Sequence, residues 1–235
     1  VGLSACPHNA LTQGDSLGTK ITQMASEAER KKVALRRLGD ATFSKVDKVS
    51  AELFSLTYGA VVTQLLKDYE DVAAANVQLE KMGYNMGVRM VDELLAKASL
   101  AQCASFSETA EVVAKVGFKM FLGVNVEVAA ATSSEFRLLL SENPLAEFVE
   151  LPEEYSKLEY SGLLCGVLRG ALEMVQMRVE CSLLRDTLWG DEAEEGSSDV
   201  LERVHVASPR GCEQMTEIRV LLKERLVEEF VDDDE

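Results

Sequence analysis

Apolar positions along this chain recur first at helical and later at strand spacing. In "AELFSLTYGAVVTQLLKDYE", Phe54, Tyr58, Val61, Leu65 and Tyr69 follow one another at four, three, four and four, while Leu53, Leu56 and Ala60 form a second apolar face. That spacing predicts a helix packed against more than one partner. "VQLEKMGYNMGVRMVDELLAK" continues the pattern, with Tyr84, Val88, Val91 and Leu95 on one stripe; Gly83 and Gly87 allow another backbone to come close. A third helix begins after Cys103, because Ser105 followed three residues later by Glu108 forms a capping box. Its inner face reads as Ala110, Ala114, Gly117 and Phe121, with Lys115 and Lys119 pointing elsewhere. A stripe of small side chains either packs tightly on a neighbour or leaves room for something slender.

The period then falls to two. "VNVEV" alternates at Val124, Val126 and Val128, and "EFRLLL" at Phe136, Leu138 and Leu140, which predicts two half-buried antiparallel strands. Asn143-Pro144 marks a turn. "GLLCGVLRGALEMVQM" is apolar nearly all round, a deeply buried helix, with Gly162, Gly166 and Gly170 along one ridge. Each glycine costs about 1 kcal/mol of helix propensity relative to Ala, so the ridge implies a close backbone approach or a void. "RVECSLLRDTLW" and "TEIRVLLKERL" alternate again and predict a hairpin, separated by a long acidic segment that reads as an exposed insertion at about 192–214. The predicted fold class is therefore α+β: a four-stranded antiparallel sheet packed against a layer of about four helices, in a single domain over 46–228. Residues 1–45 lack a strong apolar face and read as a flexible extension, with one charged stretch able to form an isolated helix. The alternative is a basic docking arm built on Arg30, Lys31, Lys32, Arg36 and Arg37. Residues 229–235 read as a solvated acidic tail.

Composition narrows the function. Lys and Arg number 24 against 40 Asp and Glu, a net charge of −16, which opposes direct nucleic-acid binding and suits meeting basic partners. The 47% hydrophobic content supports a substantial core. The opening residues lack the basic segment and apolar run of a signal peptide, and no apolar window is long enough to span a bilayer. Five cysteines (Cys6, Cys103, Cys165, Cys181, Cys212) form no CxxC pair, and with only His8 and His205 no metal site is expected. Their odd number fits a reducing, cytoplasmic setting. Phosphate-binding, dinucleotide, nucleophile-elbow, zinc-protease and calcium motifs are all absent. A Cys103 nucleophile would want a histidine base, and both histidines fall in segments read as disordered. No catalytic residues are assigned; the chain reads as an interaction protein. Cys103 is left as a small packing thiol or as the mouth of the space that the small-residue stripe allows.

A resemblance then becomes specific. "ELFSLTYGAVVTQLLKDYE", "QLEKMGYNMGVRMVDELLA", "FSETAEVVAKVGFKMFLGV", the segment from "NPLAEFVELPEEY" through "GLLCGVLRGALEMVQMRVE", and "RDTLWGD" with "TEIR" together resemble the Bet-three family, the small core subunits of the trafficking protein particle (TRAPP) complex. It covers about residues 48–191 and 215–226. The resemblance implies an α/β plait that dimerises through its helices, here through Phe54, Tyr58, Val61, Leu65, Tyr84 and Val88. Related small subunits would be its homo- or heterodimer partners. The assembly would tether vesicles between endoplasmic reticulum and Golgi and act as a guanine-nucleotide exchange factor for an early-secretory Rab GTPase. The chain would be cytoplasmic, held peripherally at cis-Golgi and endoplasmic reticulum membranes through the complex, without an active site of its own. The resemblance also implies a covalent palmitate on Cys103, its acyl chain lying in an internal channel lined by Ala110, Ala114, Gly117 and Phe121. No other cofactor is implied. Gln102 stands where the family usually has a basic residue, and residues 1–45 and 192–214 exceed a typical member. In related complexes the C-terminal tail reaches the GTPase; the end here, "VEEFVDDDE", departs from the family's pattern, and the role would fall to Glu229–Glu235. The competing readings are a stand-alone acyl- or fatty-acid-binding protein and a thiol enzyme.

Overall fold

A computed structural model of the chain describes residues 14–100, 103–189 and 215–226, with backbone alone over 14–26. Helices α1 (Gly14–Phe43), α2 (Ala51–Tyr69) and α3 (Val72–Ala98) come first. Next is a broken helix: α4 (Phe106–Val112), a π turn at Val113–Gly117 and α5 (Phe118–Leu122). Strands β1 (Val126–Ala129) and β2 (Glu135–Leu140) lead to α6 (Gly162–Met174) and then to β3 (Met177–Arg185) and β4 (Thr216–Arg225). The sheet is antiparallel throughout, in the order β1-β2-β4-β3. The predicted α+β architecture and its last hairpin are both present. Strand β4 also pairs with β2, Phe136 opposite Val220 and Leu138 opposite Ile218, which joins the two halves of the sheet.

The core face of the sheet carries Val126, Phe136, Leu138, Leu140, Ile218, Val220 and Val179, all buried with Phe106, Leu79 and the apolar side of α6. The Phe106 and Phe136 rings lie 4.8 Å apart, so the start of α4 is fixed directly to the middle strand β2. Asn143 locks the turn predicted there. Its amide donates to Ser161 Oγ at 2.9 Å and to Thr216 Oγ1 at 3.1 Å, tying the β2 exit to the start of α6 and to β4.

Helices α3 and α6 run parallel and share glycine contacts in both directions. A Cβ added at Gly83 or Gly87 would lie 2.1 Å from the backbone oxygen of Leu163 or Val167. One added at Gly166 or Gly170 would meet Glu80 O at 2.1 Å or Tyr84 O at 2.2 Å. The ridge inferred from the sequence is thus an interlocked backbone contact, except at Gly162, where the nearest atom is a Glu159 side chain at 3.4 Å. The buried seam of α3 is Ala75, Leu79, Gly83, Gly87 and Val91. The stripe expected there was Tyr84, Val88, Val91 and Leu95. Leu95 is exposed and Tyr84 and Val88 are half-buried. The glycines, with no side chain to register on a hydrophobic pattern, mark the true contact line.

The N-terminal segment corrects the expectation of a flexible extension. Residues Gly14–Phe43 form one helix, and its later turns dock on the broken helix. Lys32 pairs with Glu111 at 3.1 Å and Asp40 with Lys119 at 3.7 Å; Gly39 and Thr42 are buried. A Cβ on Gly39 would lie 2.1 Å from Lys115 O. The docking combines ion pairs and a bare glycine backbone with the half-buried Leu35, Leu38 and Phe43 and the buried Thr42, a short run that the charged residues between them mask in the sequence. Residues 1–13, the insertion at 192–214 and the acidic tail at 229–235 lie outside the described residues.

Candidate functional site

Cys103 sits two residues ahead of the N-cap of α4. Ser105 Oγ accepts the Glu108 backbone N–H at 3.1 Å, and the Glu108 carboxylate accepts the Ala104 N–H at 2.9 Å, so the capping arrangement read from the sequence is formed. It holds the Cys103 thiol, half-buried, beside Thr109 and Glu108. Burial pushes the thiol up from its ordinary value; the Thr109 hydroxyl draws it partly back, and the Glu108 charge raises it again. The other described cysteines are also free thiols. Burial takes Cys165 up to about 12 and raises Cys181 well above the ordinary range. None is set up as a thiolate nucleophile. Among the described residues no group of His, Cys, Asp or Glu is placed to hold a metal ion.

The small-residue stripe divides at the π turn. Ala110 and Ala114 are fully buried in the core, whereas Gly117 and Phe121 are half-buried. In a regular helix all four would share one face. The π turn, in which Phe118 N–H reaches back to Val113 O, adds a residue and rotates the next turn of helix. Phe118 and Met120 then become the buried positions beyond it. Half-buried Gly117 is left facing open space: a Cβ built there meets no atom within 4 Å, whereas each other glycine from Gly39 to Gly170 whose surroundings are described meets at least one. Two open surface recesses of about 410 and 570 Å³ lie elsewhere, one lined by Tyr84 of α3 with mostly charged residues of α6, β3 and β4 and one by α1.

The opposite side of the broken helix faces α1. Lys115 is buried there, its Nζ donating to Val126 O, and burial holds its ammonium below the usual lysine range, with Arg36 adding to the effect. The sequence pattern showed Lys115 and Lys119 only as residues turned from the core. Glu111 and Lys119, eight residues apart, are matched in charge by Lys32 and Asp40 at the same spacing on α1, which is the signal that was available.

Of the residues assigned to a dimer face, Tyr58, Phe54 and Leu65 pack on the chain's own core, while Val61, Tyr84 and Val88 are half-buried outside it. Tyr58 is buried, donating to Tyr160 O at 2.6 Å with its ring 5.0 Å from that of Tyr160. Phe54 and Leu65 pack on the same core, Val61 and Val88 are half-buried, and the Tyr84 hydroxyl bonds to Glu173 at 3.1 Å. The outward face of α2 is the second stripe, Leu53, Leu56 and Ala60, where the two leucines are 64% and 66% exposed. A helix with two apolar faces offers the choice, and only packing against α3, Tyr160 and the Pro144 turn selects the inward one.

A four-stranded antiparallel sheet backed by helices, with a free cysteine just ahead of the capped start of a broken helix, defines a class of α/β plaits. The sequence profile of the transport protein particle (TRAPP) component family matches residues 54–199, and the chain belongs to that family. It is 57% identical over 162 residues to "Trafficking protein particle complex subunit 3" of Dictyostelium discoideum, covering 68% of this chain and 87% of that protein. It is 48% identical over 204 residues to "Transport protein particle subunit bet3" of Schizosaccharomyces pombe, covering 85% and 98%. Among solved structures, a trafficking protein particle complex subunit 3 from Naegleria fowleri, covalently bound to palmitic acid, superposes with a TM-score of 0.65 at 47% identity. That match covers 77% of this chain and all of that one.

Proposed function

We propose that this chain is a non-catalytic core subunit of a vesicle-tethering assembly acting between endoplasmic reticulum and Golgi. In this reading it pairs with related small subunits, is cytoplasmic, and meets Golgi and endoplasmic reticulum membranes peripherally through the complex. Guanine-nucleotide exchange on an early-secretory Rab GTPase belongs to the assembled particle, to which this chain contributes surface. Cys103 carries palmitate as a thioester, and the acyl chain occupies the open space that Gly117 faces on the same broken helix. The observation that carries the lipid assignment is the open volume at Gly117 on the helix that Cys103 heads. The palmitic acid bound covalently in the Naegleria relative supports the choice of ligand. An acyl chain buried at about 0.8 kcal/mol per CH₂ would act as part of the core. Held inside, it would not anchor a membrane.

Native mass spectrometry of the protein purified gently from its own cells tests both halves. A multi-subunit particle that releases a monomer heavier by one acyl group on Cys103 is expected. A lone, unmodified chain would overturn the assembly and the lipid together. Exchangeable fatty acid bound by a Cys103→Ser chain outside any assembly would make it a carrier instead.

A further inference from the structure

Over the residues whose side chains are described, α1 has two unlike faces. One is seated on the π turn and α5, with Gly39 and Thr42 buried and Leu35, Leu38 and Phe43 half-buried. The opposite face is open. Arg30, Val33, Ala34 and Arg37 follow one another there at helical spacing, all exposed, along the recess of about 570 Å³ that Glu29 borders. Lys31 and Arg36 stand exposed to either side of it. Lys32 pairs with Glu111, but Arg30, Lys31, Arg36 and Arg37 make no ion pair among the described residues. Five of the chain's 24 Lys and Arg thus fall within residues 30–37 of a protein with 40 acidic residues and a net charge of −16. Four of those five are left to meet something outside the described fold.

We propose that this face is a docking site for an acidic helix of a partner protein, laid along α1. Arg30 and Arg37 are two turns apart, about 10.5 Å, and receive carboxylates that stand seven residues apart on the partner helix. Val33 and Ala34 lie between them and are small enough to let the partner approach to the roughly 8–10 Å of packed helices. Glu29, on the margin, pairs with a basic residue of the partner and fixes its direction. Because the other face of α1 is already seated, the site is formed before the partner arrives and little ordering is lost on this side. An anionic bilayer fits less well. A helix lying in a membrane surface carries bulky apolar side chains beside its basic ones, whereas Leu35, Leu38 and Phe43 are turned into the protein. The rest of the molecule, strongly negative, would also repel such a surface. The face lies ahead of the family match at 54–199 and owes nothing to Cys103 or its acylation.

The test titrates the full chain into a fluorescent helical peptide that carries glutamates seven residues apart with alanine and valine between them, followed by anisotropy. The parent is expected to bind, more weakly as salt is added. Arg30→Glu with Arg37→Glu sets like charges against the peptide and should weaken binding by about ten-fold. Melting should not change, because both side chains are exposed and face away from the docked side. A peptide with lysines in place of the glutamates should bind the double variant more tightly than the parent. Absence of binding to the parent, or equal binding of the glutamate peptide to parent and double variant, would overturn the docking site. So would equal binding of a peptide of the same composition with its glutamates in scrambled order. Phosphatidylserine vesicles are the competing probe: if they sediment the parent but not the double variant, and the peptide does not bind, the face belongs to a lipid surface and the proposal fails.

Discussion

Burial, the Thr109 hydroxyl and the Glu108 carboxylate act together on the Cys103 thiol, and burial prevails. The attacking species in acyl transfer is the thiolate, so a raised thiol leaves only a small reactive fraction at neutral pH. From an ordinary value of about 8.5, the thiolate fraction climbs roughly tenfold per pH unit until the raised value is reached. Acylation of Cys103 by palmitoyl-coenzyme A, followed from pH 6.5 to 9, is therefore expected to accelerate throughout. A rate already level at pH 7 would identify an activated thiol and revive the enzyme reading. Gly117 yields a second outcome at this scale. With no atom within 4 Å of its Cβ position and a φ of −62, Leu is accommodated without strain. Gly117→Leu should hold or raise the stability of the unmodified protein by up to about 1 kcal/mol through helix propensity. It should also remove acyl uptake by filling the space, checked by melting and intact mass. Full acylation of this variant would place the acyl chain elsewhere.

The α3–α6 pair shows what glycine does at the scale of an element. Each helix presses two glycines on the other's carbonyls, and such close approach brings Cα–H groups onto backbone oxygen. Gly166→Ala forces a Cβ to 2.1 Å from Glu80 O, where only backbone can give way. Overpacking of this kind costs about 1–3 kcal/mol, which for a domain of this size lowers the melting temperature by roughly 2–10 °C. Gly162→Ala is the control. It meets only the Glu159 side chain at 3.4 Å and should leave the melting temperature nearly unchanged. Equal melting of the two variants would mean that the helices separate more readily than their contacts imply.

For the whole molecule, the question is which surface meets a partner. Leu53 and Leu56 are the most exposed leucines of α2, while Tyr58 and Phe54 serve the chain's own core. A cluster of large apolar side chains left open in this way marks a contact surface. Leu56→Glu is expected to abolish dimer formation in native mass spectra while leaving the monomer's melting unchanged. Tyr58→Ala should do the reverse, lowering stability by about 3 kcal/mol or more as a large buried aromatic is lost. If Leu56→Glu remained dimeric, the partner face would lie off α2.

Much of this protein is legible in the order of its residues, because burial imposes a period that the chain must carry. The strands at Glu135–Leu140 and Thr216–Arg225, the capped start of α4 and the apolar α6 follow from side-chain chemistry repeating at 2.0 or 3.6 residues. The candidate thiol was legible too, with Ser105 and Glu108 placing Cys103 at a helix start. Other features have no local signature. Which face of α2 is buried depends on neighbours far along the chain, Pro144 and Tyr160 among them. The π turn that swings Gly117 away from Ala110 and Ala114 changes the phase of a pattern that reads as an unbroken helix. The docking of α1 combines a glycine and ion pairs with a half-buried run, Leu35, Leu38 and Phe43, too short to stand out as a hydrophobic period. Sequence determines what each segment can bury; only the assembled fold decides against what, because that choice is made by backbone approach and charge placement across the molecule.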